Sequence, residues 1–182
     1  MITGKKVRLR AMERCDIPNT SKWLNDEEGM YYEGHPGNTI SLAEAERRFN
    51  EELERRPQDR KDYIIETLDG IPIGRIRYVD LSVKDRNAGL GIHIGEKDYW
   101  GKGYGTDAVM TLLNYLFNEL QLHRVWLGTE SYNLRAQRCY EKCGFVKEGV
   151  DRESRFVDGQ YNDRISMGIL SREFNQQAKD GQ

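Results

Sequence analysis

The chain has 182 residues, 37% hydrophobic and 32% charged, with 28 Lys+Arg against 30 Asp+Glu and a formal net charge of -2. That length suits one domain burying roughly 70% of the surface of its extended chain, and the balanced charge excludes the basic bias of a nucleic-acid or membrane-surface binder. No apolar stretch approaches the roughly 20 residues of a membrane span, and Met1-Ile2-Thr3-Gly4-Lys5-Lys6 lacks the apolar core of a signal peptide, so a cytoplasmic location without membrane or nucleic-acid partners is expected.

Lys6 to Met12 alternates Val7 and Leu9 with Arg8 and Arg10, the period of two that marks a half-buried strand. A first helix is expected from Asp16, turning Ile17, Trp23 and Leu24 inward, and Glu33 and His35 fall in the loop after it. Ser41-x-x-Glu44 predicts a capping box, in which each side chain satisfies the other residue's backbone N–H. Leu42, Ala45, Phe49 and Leu53 then read as the buried stripe of a helix ending before Pro57. Strands follow at Tyr63 to Leu68 and Ile73 to Val79, joined through the turn dipeptide Asp69-Gly70, with a third from Ala88 to Gly95.

Tyr99-Trp100-Gly101-Lys102-Gly103-Tyr104-Gly105-Thr106 comes next, ahead of a helix that places Val109, Leu112, Leu113, Leu116, Phe117 and Leu120 on one side. Three glycines at alternate positions let backbone N–H groups approach a ligand closely, and the helix aims its first unpaired donors at the same spot. The junction therefore reads as a seat for a phosphate or pyrophosphate. A tight turn that needs glycine only for its dihedrals accounts for the same residues. A strand from Arg124 to Glu130, a helix from Leu134 to Lys142, and strands near Phe145 to Arg152 and Tyr161 to Leu170 complete the map, with Asp158-Gly159 between the last two. This order predicts an α/β or α+β domain with a mixed sheet over residues 1–174 and a polar, disordered tail over 175–182. Cys15, Cys139 and Cys143 are odd in number, so at least one thiol is unpaired within the chain. Cys139 and Cys143 have no nearby His, and no metal site is expected.

Asn133 and Tyr140 are seven residues apart, close to two helical turns, so a helix shows both on one face with the small Ala136 between them. A ligand could lie along that face. An N-cap at Asn133, a core position at Tyr140 and a helix stop at Gly144 are the structural readings of the same residues.

Gly103 and Gly105, followed by Asn133, Ala136, Tyr140, Gly144 and Phe145, resemble the two spaced motifs of the GNAT superfamily of acetyl-coenzyme A-dependent N-acetyltransferases. Trp100 stands where the superfamily pattern has Gln or Arg. With Trp23-Leu24, Glu148-Gly149 and Asp158-Gly159-x-Tyr161-x-Asp163 it is similar to the ribosomal-protein alanine acetyltransferase and spermidine acetyltransferase branch. The resemblance implies a GNAT-like central twisted mixed sheet, mostly antiparallel, of about seven strands flanked by about four helices, with splayed fourth and fifth strands. It implies acetyl-coenzyme A as acetyl donor, with its arm against the backbone of Ile92, His93 and Ile94. Its pyrophosphate would lie at Trp100, Gly101, Lys102, Gly103, Tyr104, Gly105 and Thr106, with Asn133, Ala136 and Tyr140 on the other side. Tyr140 would protonate the leaving thiolate.

An amine must lose a proton before it attacks a thioester, so a base is wanted as well. Relatives often carry Glu two places into the fourth strand, where Ala88-Gly89-Leu90-Gly91 has glycine. His93, on the same strand parity as Gly89, and Glu130, closing the next strand, are the candidate replacements. Glu33 or His35, or a water chain, are further ones. The acceptor implied is the primary amine of a polyamine, amino acid, amino sugar or antibiotic, or of a protein N-terminus. Glu27, Glu28 and Glu33 around Met30-Tyr31-Tyr32 suit a cationic amine, and equally a solvated loop. A non-catalytic acyl-coenzyme A sensor is the alternative that Gly89 permits. A nucleotide-binding module fits less well, because the glycine turn lacks a following Lys-Ser/Thr. Oligomeric state is unreadable; a homodimer is the commonest soluble assembly.

Overall fold

In the computed structural model, which describes residues 1–37, 39–55 and 57–180, the chain runs β1 (Ile2–Thr3), β2 (Val7–Ala11), α1 (Ile17–Leu24), α2 (Glu27–Tyr32), α3 (Leu42–Arg55), β3 (Lys61–Thr67), β4 (Pro72–Ser82), β5 (Asn87–Ile94), α4 (Tyr104–Asn114), β6 (Arg124–Glu130), α5 (Leu134–Lys142), β7 (Val146–Val157), β8 (Gln160–Leu170) and α6 (Ser171–Asp180). The strands hydrogen-bond in the order β1-β2-β3-β4-β5-β6-β8-β7. Every neighbouring pair is antiparallel except β5 with β6.

The expected mixed, mostly antiparallel sheet is present, with eight strands rather than seven. The extra strand is β1, whose two residues pair Ile2 with Leu9 and are too few to show a periodicity. Six α-helices are described where four were expected. α2 was read as loop, although Asp26 caps it by accepting from Gly29 N at 2.7 Å and Glu27 and Glu28 suit its first turn. α6 runs through 175–180, where the sequence reading has a disordered tail. It is anchored ahead of that stretch by Phe174, whose ring centroid lies 5.2 Å from that of Phe117. Residues 181 and 182 of that tail lie outside the described residues.

The core forms where the alternating strands meet α4 and α5. Ile76, Tyr78, Ala88, Leu90, Val125 and Leu127 join Val109, Leu112, Leu113 and Leu116 in one buried cluster, each large side chain contributing about 1.5–3 kcal/mol of transfer free energy. A smaller cluster of Ile17, Ile40 and Ala45, with Phe49 against it, ties α3 to α1. The stripe predicted on α3 is thus half right, since Leu42 and Leu53 are 49% and 56% exposed. Its capping box is also half formed: Ser41 Oγ accepts from Glu44 N at 3.1 Å, while the Glu44 carboxylate pairs with Arg48.

The motifs of the resemblance have structural jobs. Trp23 is fully buried over Gly95, where a Cβ would overlap its ring, and its Nε1 donates to Glu96 at 2.8 Å. Glu148 accepts from both terminal nitrogens of Arg124. Asp158 and Gly159, with φ of 51° and 74°, make the tight turn joining β7 to β8.

The feature that positions the site is the contact between β5 and β6. They pair at Asn87↔Arg124, Ala88↔Val125 and Gly89↔Trp126, and not beyond. From there the two strands diverge, as the expected splay requires.

Candidate active site

The turn between β5 and α4 uses backbone conformations that glycine adopts readily. Gly101 has φ 70° and Gly103, the N-cap of α4, has φ 84°. No side chain caps this helix, which leaves its first-turn N–H groups, those of Tyr104, Gly105 and Thr106, for an anion. Trp100 donates from Nε1 to the Ile94 carbonyl at 2.7 Å. The Arg135 guanidinium sits 3.5 Å from the Trp100 ring centroid and 5.0 Å from that of Tyr32, so one cation links α2, the turn and α5.

On β5, a Cβ at Gly74 would overlap the His93 carbonyl, so that carbonyl faces β4. By alternation the backbone groups of Ile92 and Ile94 face the side where β6 has departed. Trp100 occupies one of them, the Ile94 carbonyl. Among the described residues the others have no partner strand on that side, which leaves them open to an amide-bearing ligand.

On α5, Gly144 at φ 91° ends the helix in a double cap: Gly144 N donates to Glu141 O at 2.9 Å and Phe145 N to Tyr140 O at 3.0 Å. Gly144 and Phe145 therefore fix Tyr140 in place, and the Phe145 ring packs against it with centroids 5.8 Å apart. Burial pushes the Tyr140 phenol's pKa up, helped by Cys139, Glu33 and Cys143, so it stays protonated at neutral pH.

A cavity of about 330 Å³ runs along this side, lined by Ile92, Ile94, Trp100, Gly101, Gly103, Gly105, Thr106, Ala136 and Tyr140. Cys139 lines it too, with Sγ 3.4 Å from Thr106 Oγ1; the hydrogen bond from Cys143 outweighs burial and holds the Cys139 thiol below its usual pKa. The sequence reading missed Cys139 and Arg135, whose single signal was their place on the Asn133 to Tyr140 helix. Three expected residues, Lys102, Tyr104 and Asn133, do not line this cavity, although the Tyr104 N–H stays in the uncapped first turn of α4. Lys102 accepts at its carbonyl from Lys6 Nζ at 2.9 Å, and the Tyr104 ring packs edge-on against Tyr99. Asn133 lines neither this cavity nor the next: its Oδ1 accepts from Ala136 N at 3.1 Å and its Nδ2 donates to Tyr32 O at 2.9 Å.

A second cavity of about 310 Å³ lies against side chains such as Arg75, Arg77, His93, Trp126 and Glu130, which alternate with core residues 76, 78, 90, 125 and 127 and so project from the opposite face of the sheet. The two cavities share Tyr32, Glu33, Ile92, His93 and Tyr140. They meet at the gap between β5 and β6.

His93 Nδ1 hydrogen-bonds Glu33 Oε1, and its buried Nε2 has no hydrogen-bond partner among the described residues. Burial would raise the Glu33 carboxyl, but the hydrogen bond and charge of His93, with Arg75 and Arg77, hold it below the usual carboxylate range. Glu130 is buried at the second cavity with Oε1 3.5 Å from Arg155 Nε and, among the described residues, no hydrogen-bond partner for Oε2; His35 lines the same cavity. At Gly89 a Cβ would meet Trp126 Cζ2 and Val79 Cγ2 at 3.0 Å, so these two side chains occupy the place a carboxylate would need. Among the described residues no three His, Cys, Asp or Glu side chains group as metal ligands, and no helix is long and apolar enough to cross a membrane.

The family described as Acetyltransferase (GNAT) domain matches residues 6–146. The chain is 29% identical over 172 residues to spermidine N(1)-acetyltransferase of Vibrio cholerae serotype O1, covering 94% of this chain and 96% of that one. It is 28% identical over 177 residues to the enzyme of the same name from Escherichia coli K12, covering 96% and 91%. The solved Vibrio cholerae spermidine N-acetyltransferase, in complex with CoA and spermine, superposes with a TM-score of 0.84 at 28% identity, over 93% of this chain and 98% of that one. A glycine turn at an uncapped helix, a strand left unpaired beside it and a buried phenol where two cavities meet thus coincide with a family match over most of the chain: it belongs to the GNAT acetyltransferase family and is an acetyl-coenzyme A-dependent N-acetyltransferase.

Proposed function

We propose that His93 takes the proton from the attacking amine at Nε2 while Glu33 holds Nδ1, and that Tyr140 gives a proton to the departing thiolate. The observation that carries this reading is the junction: His93, Glu33 and Tyr140 are walls of both cavities, so one molecule on each side of the sheet meets the other at these three groups. A carboxylate accepting from Nδ1–H selects the tautomer whose lone pair is on Nε2. Glu130 is the weaker candidate, because it lines the second cavity alone and faces Arg155.

Acetyl-coenzyme A supplies an acyl carbon attached to a good leaving group. The chain's own residues would hold it in the first cavity. Gly101, Gly103 and the amides of Tyr104 to Thr106 receive its phosphates, the free backbone groups of Ile92 and Ile94 pair with its arm, and Ala136 leaves the arm room beside α5. Asn133 acts at one remove, fastening α2 to α5 through Tyr32.

The acceptor is an amine. The relatives named above act on spermidine, and Glu27, Glu28 and Glu33 support a polyamine to the extent that their charge is free. Lys97 takes part of it, lying 2.9 Å from Asp26 and 2.8 Å from Glu28, and His93 takes Glu33. We place the enzyme in the cytoplasm as a homodimer, the commonest soluble assembly.

His93→Gln is expected to lower kcat/KM by about 10²–10⁴-fold and to remove the rise of the pH–rate profile that depends on the base. Glu33→Gln gives a smaller loss of the same shape. Tyr140→Phe lowers kcat and leaves that rise intact. An unchanged low-pH limb in His93→Gln would reject the assignment.

A further inference from the structure

The second cavity carries a charge pattern that neither an acidic site for a cationic amine nor the relatives' names account for. Its carboxylates, Glu33, Asp62, Asp80 and Glu130, are matched by four arginines, Arg75 and Arg77 from β4, Arg155 from β7 and Arg164 from β8. Two of the carboxylates are already engaged, Glu33 by His93 and Glu130 by Arg155. Three of the guanidiniums are not: among the described residues Arg75, Arg77 and Arg164 have no hydrogen-bond or ion-pair partner, and Arg75 Nε is buried in that condition.

Their placement is specific. Gly91 on β5 and Gly128 on β6 leave bare backbone on the two strands that part. Arg77 Nε lies 3.3 Å from where a Cβ at Gly91 would be, and a Cβ at Gly128 would overlap the Arg164 guanidinium. One guanidinium thus covers each side of the gap, and Arg75, the register partner of His93, stands in the wall between Arg77 and the reacting end. Desolvation pulls Arg75 below the usual guanidinium range, with the like charges of Arg77 and Arg48 adding to it and Asp62 and Glu33 opposing it. A buried donor without a partner is costly. The planar fork of arginine is best satisfied by a carboxylate or phosphate taken with two parallel hydrogen bonds. A polycation in this cavity would meet as many guanidiniums as carboxylates.

We infer that the acceptor is a small primary amine that itself carries an anionic group, a carboxylate or a phosphate, held by Arg77 and Arg164 over Gly91 and Gly128 while its amine reaches His93. The inference rests on the assignment of His93 and Tyr140 as the reacting end.

The test uses pairs of amines that differ by the anionic group alone: lysine against cadaverine, β-alanine against ethylamine, and phosphoethanolamine against ethanolamine. Acetyl-coenzyme A consumption is expected to favour the acid-bearing member of at least one pair by about tenfold or more in kcat/KM, and the winning pair tells carboxylate from phosphate. Arg77→Gln and Arg164→Gln are expected to raise KM for that member more than for its partner, with thermal melts confirming that the variants fold. Preference for the cationic or neutral member in all three pairs, or equal losses for both members in the variants, overturns the inference. If no amine is acetylated, the assignment of the reacting end fails instead, and thermal shifts with coenzyme A present decide the anion question. Stabilisation by an acid-bearing member alone sustains it, and stabilisation by cadaverine or by no member ends it.

Discussion

A carboxylate at position 89 would have to pass through Trp126 and Val79, whose nearest atoms stand 3.0 Å from where its Cβ would lie. Gly89→Glu therefore overpacks the second cavity at a cost of about 1–3 kcal/mol, and it does not restore turnover to His93→Gln. Melting temperature and kcat/KM of the single and double variants check both statements; a double variant with a recovered pH profile would show that the position is open after all. The placement of Gly103, Gly144 and Tyr140 was legible from spacing because it depends on local backbone geometry, a left-handed dihedral and a cap five residues away. Those of Glu33 and Asn133 were not. Each is defined by a partner from a distant part of the chain, Glu33 by His93 60 residues on and Asn133 by Tyr32 101 residues back.

Between β2 and α1, Arg10 grips Asp16 with both terminal nitrogens, at 2.7 and 2.8 Å, while its Nε reaches Glu66 on β3. Burial would raise Asp16, but the hydrogen bonds from Arg10 and the Glu13 backbone, with the Arg10 charge, hold its carboxyl below the usual carboxylate range. A carboxyl with a depressed folded-state pKa adds stability that is present above its unfolded value and lost as pH falls through the folded one. Asp16→Asn is thus expected to destabilise at neutral pH by about 3 kcal/mol. Denaturant titrations should show the gap to the wild type closing below roughly pH 4; a gap that persists unchanged into acid would mean the pair is not its cause. Most elements were readable because their periodicity is strong, as in α4 and β6. α2 was not, since six residues cannot display a helical period and only its Asp26 cap announced it. Glu27 and Glu28 were read as loop residues for that reason, whereas they open α2, which carries Tyr32 into both cavities.

At the scale of the whole molecule, the sheet separates two chambers and its central gap joins them. Hairpins at either end could be foreseen from Asp69-Gly70 and Asp158-Gly159, but the place of β6 between β5 and β8 depends on pairings with β8 more than 30 residues away along the chain. The second chamber's arginines had a signal that went unread: Arg75-x-Arg77 and Gly89-x-Gly91 share the period of two that puts each pair on one face, and Arg77 pairs with Gly91 in the register.

The parting of β5 from β6 after Gly89 has a consequence for how the enzyme lives between turnovers. A sheet interrupted at its middle gains rigidity when something bridges the breach, and in the arrangement proposed above the bridge would be the donor molecule. Coenzyme A at a hundredfold excess over its Kd is expected to raise stability by about 2.7 kcal/mol, and to slow deuterium uptake most at the amides of Ile92 and Ile94. Slowing spread evenly over the chain, or absent there, would mean that the breach does not breathe. Cells short of acetyl donor would then hold a looser, more protease-sensitive form of this protein, so its abundance would follow the supply of the compound it consumes.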